Sequence, residues 1–411
     1  MTRRLDRTSA VLAAILVPIA VATVLGLVAL WPSGQTHETG IVEVAAEYPT
    51  ARVVEATDES CSGSNEDRLP DGSIPETVSC TVVRAEVTSG EAAGQVVEVY
   101  APATVRPADV PGGTEIVLVR YLATDTEPEV WAWYDYSRTL PLAVLALAFA
   151  AVVVGVAGLR GLRALIGLAL AFGVIATFVL PALLDGSDAL LVGLVGSSAI
   201  MFIVLPLAHG FSRRTTTALL GTMAGLGATA LLGALAARAA HLTGLSTEES
   251  YRLAMLTGQL DGTGLRGLFL AGVVLAGLGV LNDVTITQAS AVWELRAADP
   301  DAGRRGLYTG GMRIGRDHIA STVYTIAFAY AGAALPILLL LEVYQLPLLR
   351  TISSGVFAEE IARTLVGSIG LVLAIPLTTI IAAAVALTEA PGRHRHRNRS
   401  PGDGHGHDHA A

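Results

Sequence analysis

The sequence predicts a polytopic α-helical membrane protein of about eight transmembrane helices, interrupted by one extracytoplasmic β domain of small-barrel, OB-like kind. Three observations carry this. The chain is 52% hydrophobic and only 15% charged over 411 residues, with mean hydropathy +0.57, which is too apolar for an ordinary soluble protein. The apolar residues gather into blocks of about 20, the length a helix needs to cross hydrocarbon about 30 Å thick. A single stretch, 36–138, breaks that pattern with alternating residues and a strong acidic excess.

The apolar blocks fall at about 10–31, 139–158, 164–184, 188–208, 215–237, 264–283, 319–341 and 363–387. The connections 158–164 and 184–188 are so short that the helices they join should be antiparallel neighbours. The first block follows Arg3, Arg4 and Arg7. Its core is long for a secretory leader and no small-residue cleavage site follows, so 1–35 reads as an uncleaved signal anchor. Trp31 suits the outer interface.

Orientation rests on arginine, because the chain has no lysine and all 27 basic residues are Arg. With Arg3, Arg4 and Arg7 inside, alternate connections carry Arg160 and Arg163, Arg213 and Arg214, then Arg296, Arg304, Arg305, Arg313 and Arg316, and finally the tail from Arg393. Opposite connections carry Asp185 and Asp188, or Arg350 with glutamates. That bias predicts eight crossings with both termini cytoplasmic.

Residues 36–138 hold 19 of the 36 acidic side chains against 6 Arg, near −13, while the rest of the chain is mildly positive. Alternation predicts strands at 40–48, 51–56, 78–87, 95–101, 115–121 and 130–136, separated by Gly- and Pro-bearing turns. A closed barrel would also remove exposed sheet edges. Cys61 and Cys80, the chain's two cysteines, lie here. Outside the cytoplasm a disulfide is the simplest reading; a free thiol or a two-cysteine metal site are the alternatives. The acidic surface reads as a solvated face rather than a cation site.

The membrane half, 139–388, is built from Ala, Leu, Val and Gly. Gly221, Gly225, Gly227, Gly272 and Gly277 read as close helix–helix approaches. Pro181, Pro206, Pro336 and Pro376 read as kinks or ends, with Pro336 or Pro376 the place for a discontinuous helix.

Ionisable residues gather around 265–342. An apolar run ends in Asn282-Asp283-Val284-Thr285-Ile286-Thr287-Gln288, placed by its length at the inner end of the sixth crossing. Ile286, Ala289, Val292, Trp293 and Leu295 then recur at helical spacing, which predicts an amphipathic segment on the inner surface within a cytoplasmic loop 284–318. Asp299-Pro300-Asp301 breaks it, and Arg316-Asp317-His318 arrives as the seventh crossing begins. Charged groups near hydrocarbon are costly and mark functional sites by default. Asn282, Asp283, Gln288, Arg316, Asp317 and His318 therefore form a candidate polar seam, with Asp283 paired to Arg316 or His318. The competing reading is an interfacial ion pair that only pins helix ends. Histidine is the residue type here whose ordinary value lies near neutrality, so proton coupling would run through His318 or Asp283.

Residues 248–261 suggest a short outer amphipathic helix. The tail 389–411 holds His394, His396, His405, His407 and His409 among Arg, Pro and Gly, a composition that predicts disorder and only weak metal binding.

The run Gly277-Leu278-Gly279-Val280-Leu281-Asn282-Asp283-Val284, with Trp293-Glu294-Leu295, Gly315-Arg316-Asp317-His318-Ile319 and Ala329-Tyr330-Ala331-Gly332-Ala333, resembles the YibE/F family of bacterial membrane proteins. The resemblance covers about 140–388 and implies architecture, location and a permease-like role, with no catalytic residues to carry over.

The expectation is thus a permease or secondary transporter of an unknown small solute or ion. The runner-up is a non-transporting assembly factor or sensor whose outer domain binds a protein partner. No catalytic residues, cofactor, metal site or nucleic-acid partner are expected. Without lysine there is no Walker-type phosphate loop, and neither His-Glu-x-x-His nor Gly-x-Ser-x-Gly occurs in the spans.

Overall fold

A computed structural model describes residues 7–34, 46–63, 65–69, 71–123, 128–257, 263–345 and 347–388. Arg3 and Arg4, most of the first expected strand, the end of the expected outer helix and the His-rich tail lie outside them. The chain divides into a unit of Gly40–Val156 and a unit of Met1–Thr39 with Ala157–Ala411.

In the first unit, six antiparallel strands form one sheet: β1 (Ala46–Glu47), β2 (Thr50–Ser62), β3 (Thr77–Val87), β4 (Val96–Tyr100), β5 (Glu115–Tyr121) and β6 (Val130–Tyr136). Pro49 separates β1 from β2, and both lie along β5, at Arg120–Tyr121 and Glu115–Val117 respectively. β6 pairs the other edge of β5, and β2 pairs β3, which pairs β4. The period-two pattern buries Val53, Val83, Ala85, Val99, Ile116 and Leu118 in a single core flanked by Trp131 and Trp133.

The expected barrel is corrected here: among the described residues β4 pairs only β3 and β6 only β5, so the sheet is open. Side chains of β4 and β6 share one core without a hydrogen-bond ladder between them. Cys61 and Cys80 meet at disulfide distance, with Cα atoms 5.9 Å apart on the paired strands β2 and β3. Beyond the sheet, α2 (Thr139–Val174) begins, and Gly158 at φ 60° interrupts its helical geometry.

In the second unit, α2 continues through a π turn (Ile175–Val179) into α3 (Leu180–Leu184). The chain then forms α4 (Ala189–His209), α5 (Arg213–Ala239), α6 (Glu248–Thr257), α7 (Thr263–Ala298), α8 (Arg304–Ala333), α9 (Leu335–Tyr344), α10 (Leu348–Ile352) and α11 (Gly355–Ala386), preceded by α1 (Arg7–Ala29). Asp188 and Ser212 cap α4 and α5, each accepting from a backbone amide of the first turn.

Among the described residues, six helices are long and apolar enough to cross a membrane. Two expected crossings, 139–158 and 164–184, lie within Thr139–Leu184, on either side of the non-helical kink at Gly158. The expected crossing 319–341 falls on α8 and α9, which break at Ala334 before Pro336, while α11 runs on through Pro376. The amphipathic segment after Asp283 is no surface loop. It is the unbroken continuation of α7, and its Val292 packs with Leu307 of α8 and Ala382, Ala383 and Ala386 of α11.

Close approaches built on small residues set the packing of α5, α7 and α11. A Cβ on Gly221 would stand 2.0 Å from Thr378 Oγ1, and one on Gly370 2.0 Å from Thr229 Oγ1. One on Gly225 would meet Leu281 at 2.7 Å and Ala374 at 3.2 Å. These contacts run α5 antiparallel to both α7 and α11. Gly227 meets nothing within 4 Å, so it is no such contact.

Candidate functional site

Three helices, α7, α8 and α11, meet at Gln288, which is 2% exposed. Its Nε2 donates to the Gly311 carbonyl of α8 and to Thr379 Oγ1 of α11, both at 2.8 Å. Gly311 and Gly315 let α8 come this close: a Cβ at Gly315 would lie 2.6 Å from Ile375 and 3.1 Å from Gln288 Oε1. One turn away on α7, Thr285 Oγ1 lies 2.7 Å from Thr222 Oγ1 of α5. Thr222, Thr285, Thr378 and Thr379 are all fully buried. The result is a polar junction inside an otherwise apolar bundle, where hydrogen bonds offset the cost of burying Gln288, Thr222, Thr285 and Thr379, while Thr378 Oγ1 has no partner among the described residues.

Asn282 is half-buried, and its Oδ1 is enclosed without a hydrogen-bond partner among the described residues. Asp283 is exposed, on the face of α7 that also exposes Ala276, Gly279 and Thr287. Arg316 and Asp317 are exposed on α8, opposite the Leu307–Gly311–Gly315 stripe that packs inward. His318 is half-buried with an enclosed, unpartnered Nε2, and its carbonyl accepts from Thr322 Oγ1 at 2.8 Å.

The antiparallel packing of α7 and α8 puts Asp283 level with Arg316 and His318, yet no ion pair within 4.0 Å joins them among the described residues. Gln288 makes the interhelical contact the carboxylate was expected to make. Faces explain this: residues five apart on a helix point in clearly different directions, so one α8 surface cannot take both.

Depth also differs from the sequence reading. Glu294 of α7 pairs with Arg214 at the start of α5, 3.3 Å apart. Counted back at the helical rise, Asp283 stands about 16 Å further in, well within α7 and not at its end. Arg316 is likewise about 18 Å along α8 from its first residue. The α7–α8 turn beyond is tied by Arg296, which donates to the carbonyls of Pro300 and Ala302.

A second polar group, unforeseen from the sequence, sits toward the other ends of these helices. Glu359 of α11, 7% exposed, accepts from the Gly244 amide at 2.8 Å and from Ser246 Oγ at 2.6 Å. Gly244 has φ 77°, and a Cβ there would strike the Leu265 carbonyl at 2.1 Å. Arg363, one turn further along α11, lies 5.5 Å above the Phe269 ring, with Nε 3.4 Å from Glu360. It borders a cavity of about 200 Å³ between α7, α8 and α11. An arginine inside a span was the available signal for this group; the threonines gave none, because each can bond its own helix's i−4 carbonyl and so passes as apolar.

Among the described residues, no three His, Cys, Asp or Glu side chains gather to hold a metal.

The chain is mostly helical, with several long apolar helices of the kind that cross membranes, packed through glycine and threonine around a buried amide, and it carries a separate antiparallel-sheet unit. The profile of the YibE/F-like proteins matches residues 145–388, more than half of the chain, and the chain belongs to that family. Neither a curated protein nor a solved structure matches it.

Proposed function

We propose that the protein is a permease, a secondary transporter of a small solute or ion in the bacterial plasma membrane, with both termini cytoplasmic. The observation that supports this reading is the level of the bundle at which Asp283, Arg316, Asp317 and His318 stand beside the Gln288 junction. Asp283 lies well within α7, one of the helices long and apolar enough to cross a membrane, where an ionisable group marks function by default. No covalent chemistry is assigned to the protein, and neither cofactor nor nucleic acid enters the reading.

The test begins with ion and metabolite profiles of a deletion strain, followed by uptake of the accumulated species into vesicles containing the purified chain. Asp283→Asn and His318→Gln should each lower uptake at least tenfold while leaving abundance and thermal stability unchanged. Normal uptake in both variants would remove the seam from the mechanism.

One observation favours a second reading. A groove of about 530 Å³ on the sheet unit runs beside Cys61 and Cys80 and is bordered by Glu59, Asp67 and Tyr100. Such a groove suits a partner protein, making the chain an assembly factor or sensor. Co-purification of a partner dependent on Tyr100, with no solute affected by deletion, would favour it.

A further inference from the structure

We infer that the cavity between α7, α8 and α11 binds a small monocarboxylate anion, with Arg363 as the group that recognises it. The inference deepens the permease reading, and rests on it only for the solute's passage, not for its binding.

Arg363 stands eight residues into α11, so about 12 Å along the helix from its first residue. Its side chain is 28% exposed and lines a cavity walled by Val280 and Gly277 of α7, Thr325 and Tyr330 of α8, and Gly367 of α11. A guanidinium carries five N–H donors and no acceptor. None of Arg363's donors makes a hydrogen bond among the described residues; its Nε is enclosed without one. Glu360 lies 3.4 Å from that Nε and partly balances the charge. Glu360 sits three residues earlier on the same helix, which leaves the terminal nitrogens unmatched. The Phe269 face contributes a further weak attraction for the cation.

A planar, forked donor in a surround of low polarity is matched by a planar oxyanion, and carboxylate takes it with two parallel bonds. The remaining walls limit the rest of the ligand. They are mainly aliphatic, with the hydroxyl-bearing Thr325 and Tyr330 as the other polar side chains. At about 200 Å³ the cavity is below the usual range of about 300–1,000 Å³ for larger ligands. A short apolar body with one carboxylate fits both limits.

The cavity also extends toward the sequence-predicted seam. Ala276 and Val280 line it, and Asp283 follows on the same face of α7 at helical spacing. On α8, Thr325 and Ala329 line it, and His318 and Thr322 precede them on that face. An anion held at Arg363 would therefore have the ionisable groups of the seam next along the same two helix faces.

The experiment uses the full chain in nanodiscs of phosphatidylcholine, with sodium propionate as probe and propionamide and sodium chloride as controls at matched concentration. Propionate should raise the melting temperature in a saturable way, and the controls should not. Arg363→Gln should weaken the propionate effect at least tenfold, whereas Arg363→Lys, which keeps a point charge, should retain part of it. Gly367→Leu should also weaken binding: a Cβ at Gly367 meets nothing within 4 Å, so the larger side chain fills the cavity without forcing the helices apart. No saturable effect in the wild type, an equal effect of propionamide, or undiminished binding in both Arg363→Gln and Gly367→Leu would overturn the site. Stabilisation that appears only when phosphatidylglycerol is added would also overturn it, by assigning Arg363 to a lipid phosphate. Vesicle uptake of labelled propionate is scored separately. Binding without uptake upholds the site and counts against the permease reading; uptake of another solute without propionate binding does the reverse.

Discussion

Nε2 of Gln288 lies 2.8 Å from Oγ1 of Thr379, and the direction of that bond is set by what Thr379 does next. The threonine hydroxyl donates to the Ile375 carbonyl at 2.7 Å, so its oxygen must accept from Gln288. The same nitrogen donates to Gly311, and one amide thus ties α7 to α8 and α11. This leaves Oε1 on the side of Gly315.

Removing that amide should destabilise the bundle. Gln288→Leu removes the hydrogen bonds to the Gly311 carbonyl and to Thr379 Oγ1, a loss of about 0.5–1.5 kcal/mol for each. Gln288→Glu should cost more, because a carboxylate placed there faces a carbonyl and a committed hydroxyl. Thermal unfolding in nanodiscs measures both; stability equal to wild type in either variant would refute the role given to this contact.

Gly370→Ala should force α11 from α5, since the added methyl would lie 2.0 Å from Thr229 Oγ1. A lower melting temperature and lower yield are expected. Thr229→Ala in the same chain should recover part of the loss, a coupling that unrelated sites do not show. Gly279→Ala is the control: nothing lies within 4 Å, and alanine's better helix propensity predicts no loss.

The Cys61–Cys80 pair should leave no free thiol in exported, unreduced protein. Reduction should weaken the sheet unit by about 3 kcal/mol in the chain-entropy account. Alkylation before and after reduction, read by mass, measures the first; protease resistance of the sheet in the full chain measures the second. Two alkylated cysteines before reduction would contradict the pairing.

Acid should loosen the sheet unit partly through Glu129. Its hydrogen bond with Arg120, then that from Trp131, holds its carboxyl below the usual range. A depressed folded-state value means stability that is present above the unfolded value and is lost as pH falls through the folded one. Glu129→Gln should therefore flatten the acid side of the stability profile below about pH 4.5, near the ordinary glutamate value. An acid limb of unchanged slope in Glu129→Gln would exclude this contribution.

Topology is tested by cysteines placed at Asp71 and Asp301 in a chain lacking Cys61 and Cys80. The arginine bias predicts that position 71 reacts with an impermeant reagent from outside, and position 301 only after permeabilisation. Outside labelling at position 301 would invert the arrangement.

Particular residues show why only part of the site was legible. Asn282 and Asp283 stood out because polar groups interrupt an apolar run, and Gln288 was caught as their neighbour. Their depth was misread because hydropathy stops at the first charge, whereas α7 continues as helix to Ala298. Thr222, Thr285, Thr378 and Thr379 were invisible, since threonine differs little from valine in such a run and its partners lie far along the chain. The last apolar block begins at Arg363, whereas α11 begins eight residues earlier at Gly355, which sets the arginine inside the helix.

Composition and periodicity by themselves determined that the chain carries several helices long and apolar enough to cross a membrane, and where strands β5 and β6 begin and end. Those are local properties: transfer free energy summed over about 20 residues, and side chains alternating along an extended backbone. Tertiary structure alone decided that the sheet stays open, that Gln288 rather than Asp283 makes the interhelical contact, and that Arg363 faces a cavity. Each depends on which helix or strand face meets a neighbour far away in sequence. Two residues a few positions apart on a helix differ in direction by up to half a turn, and only packing selects between them.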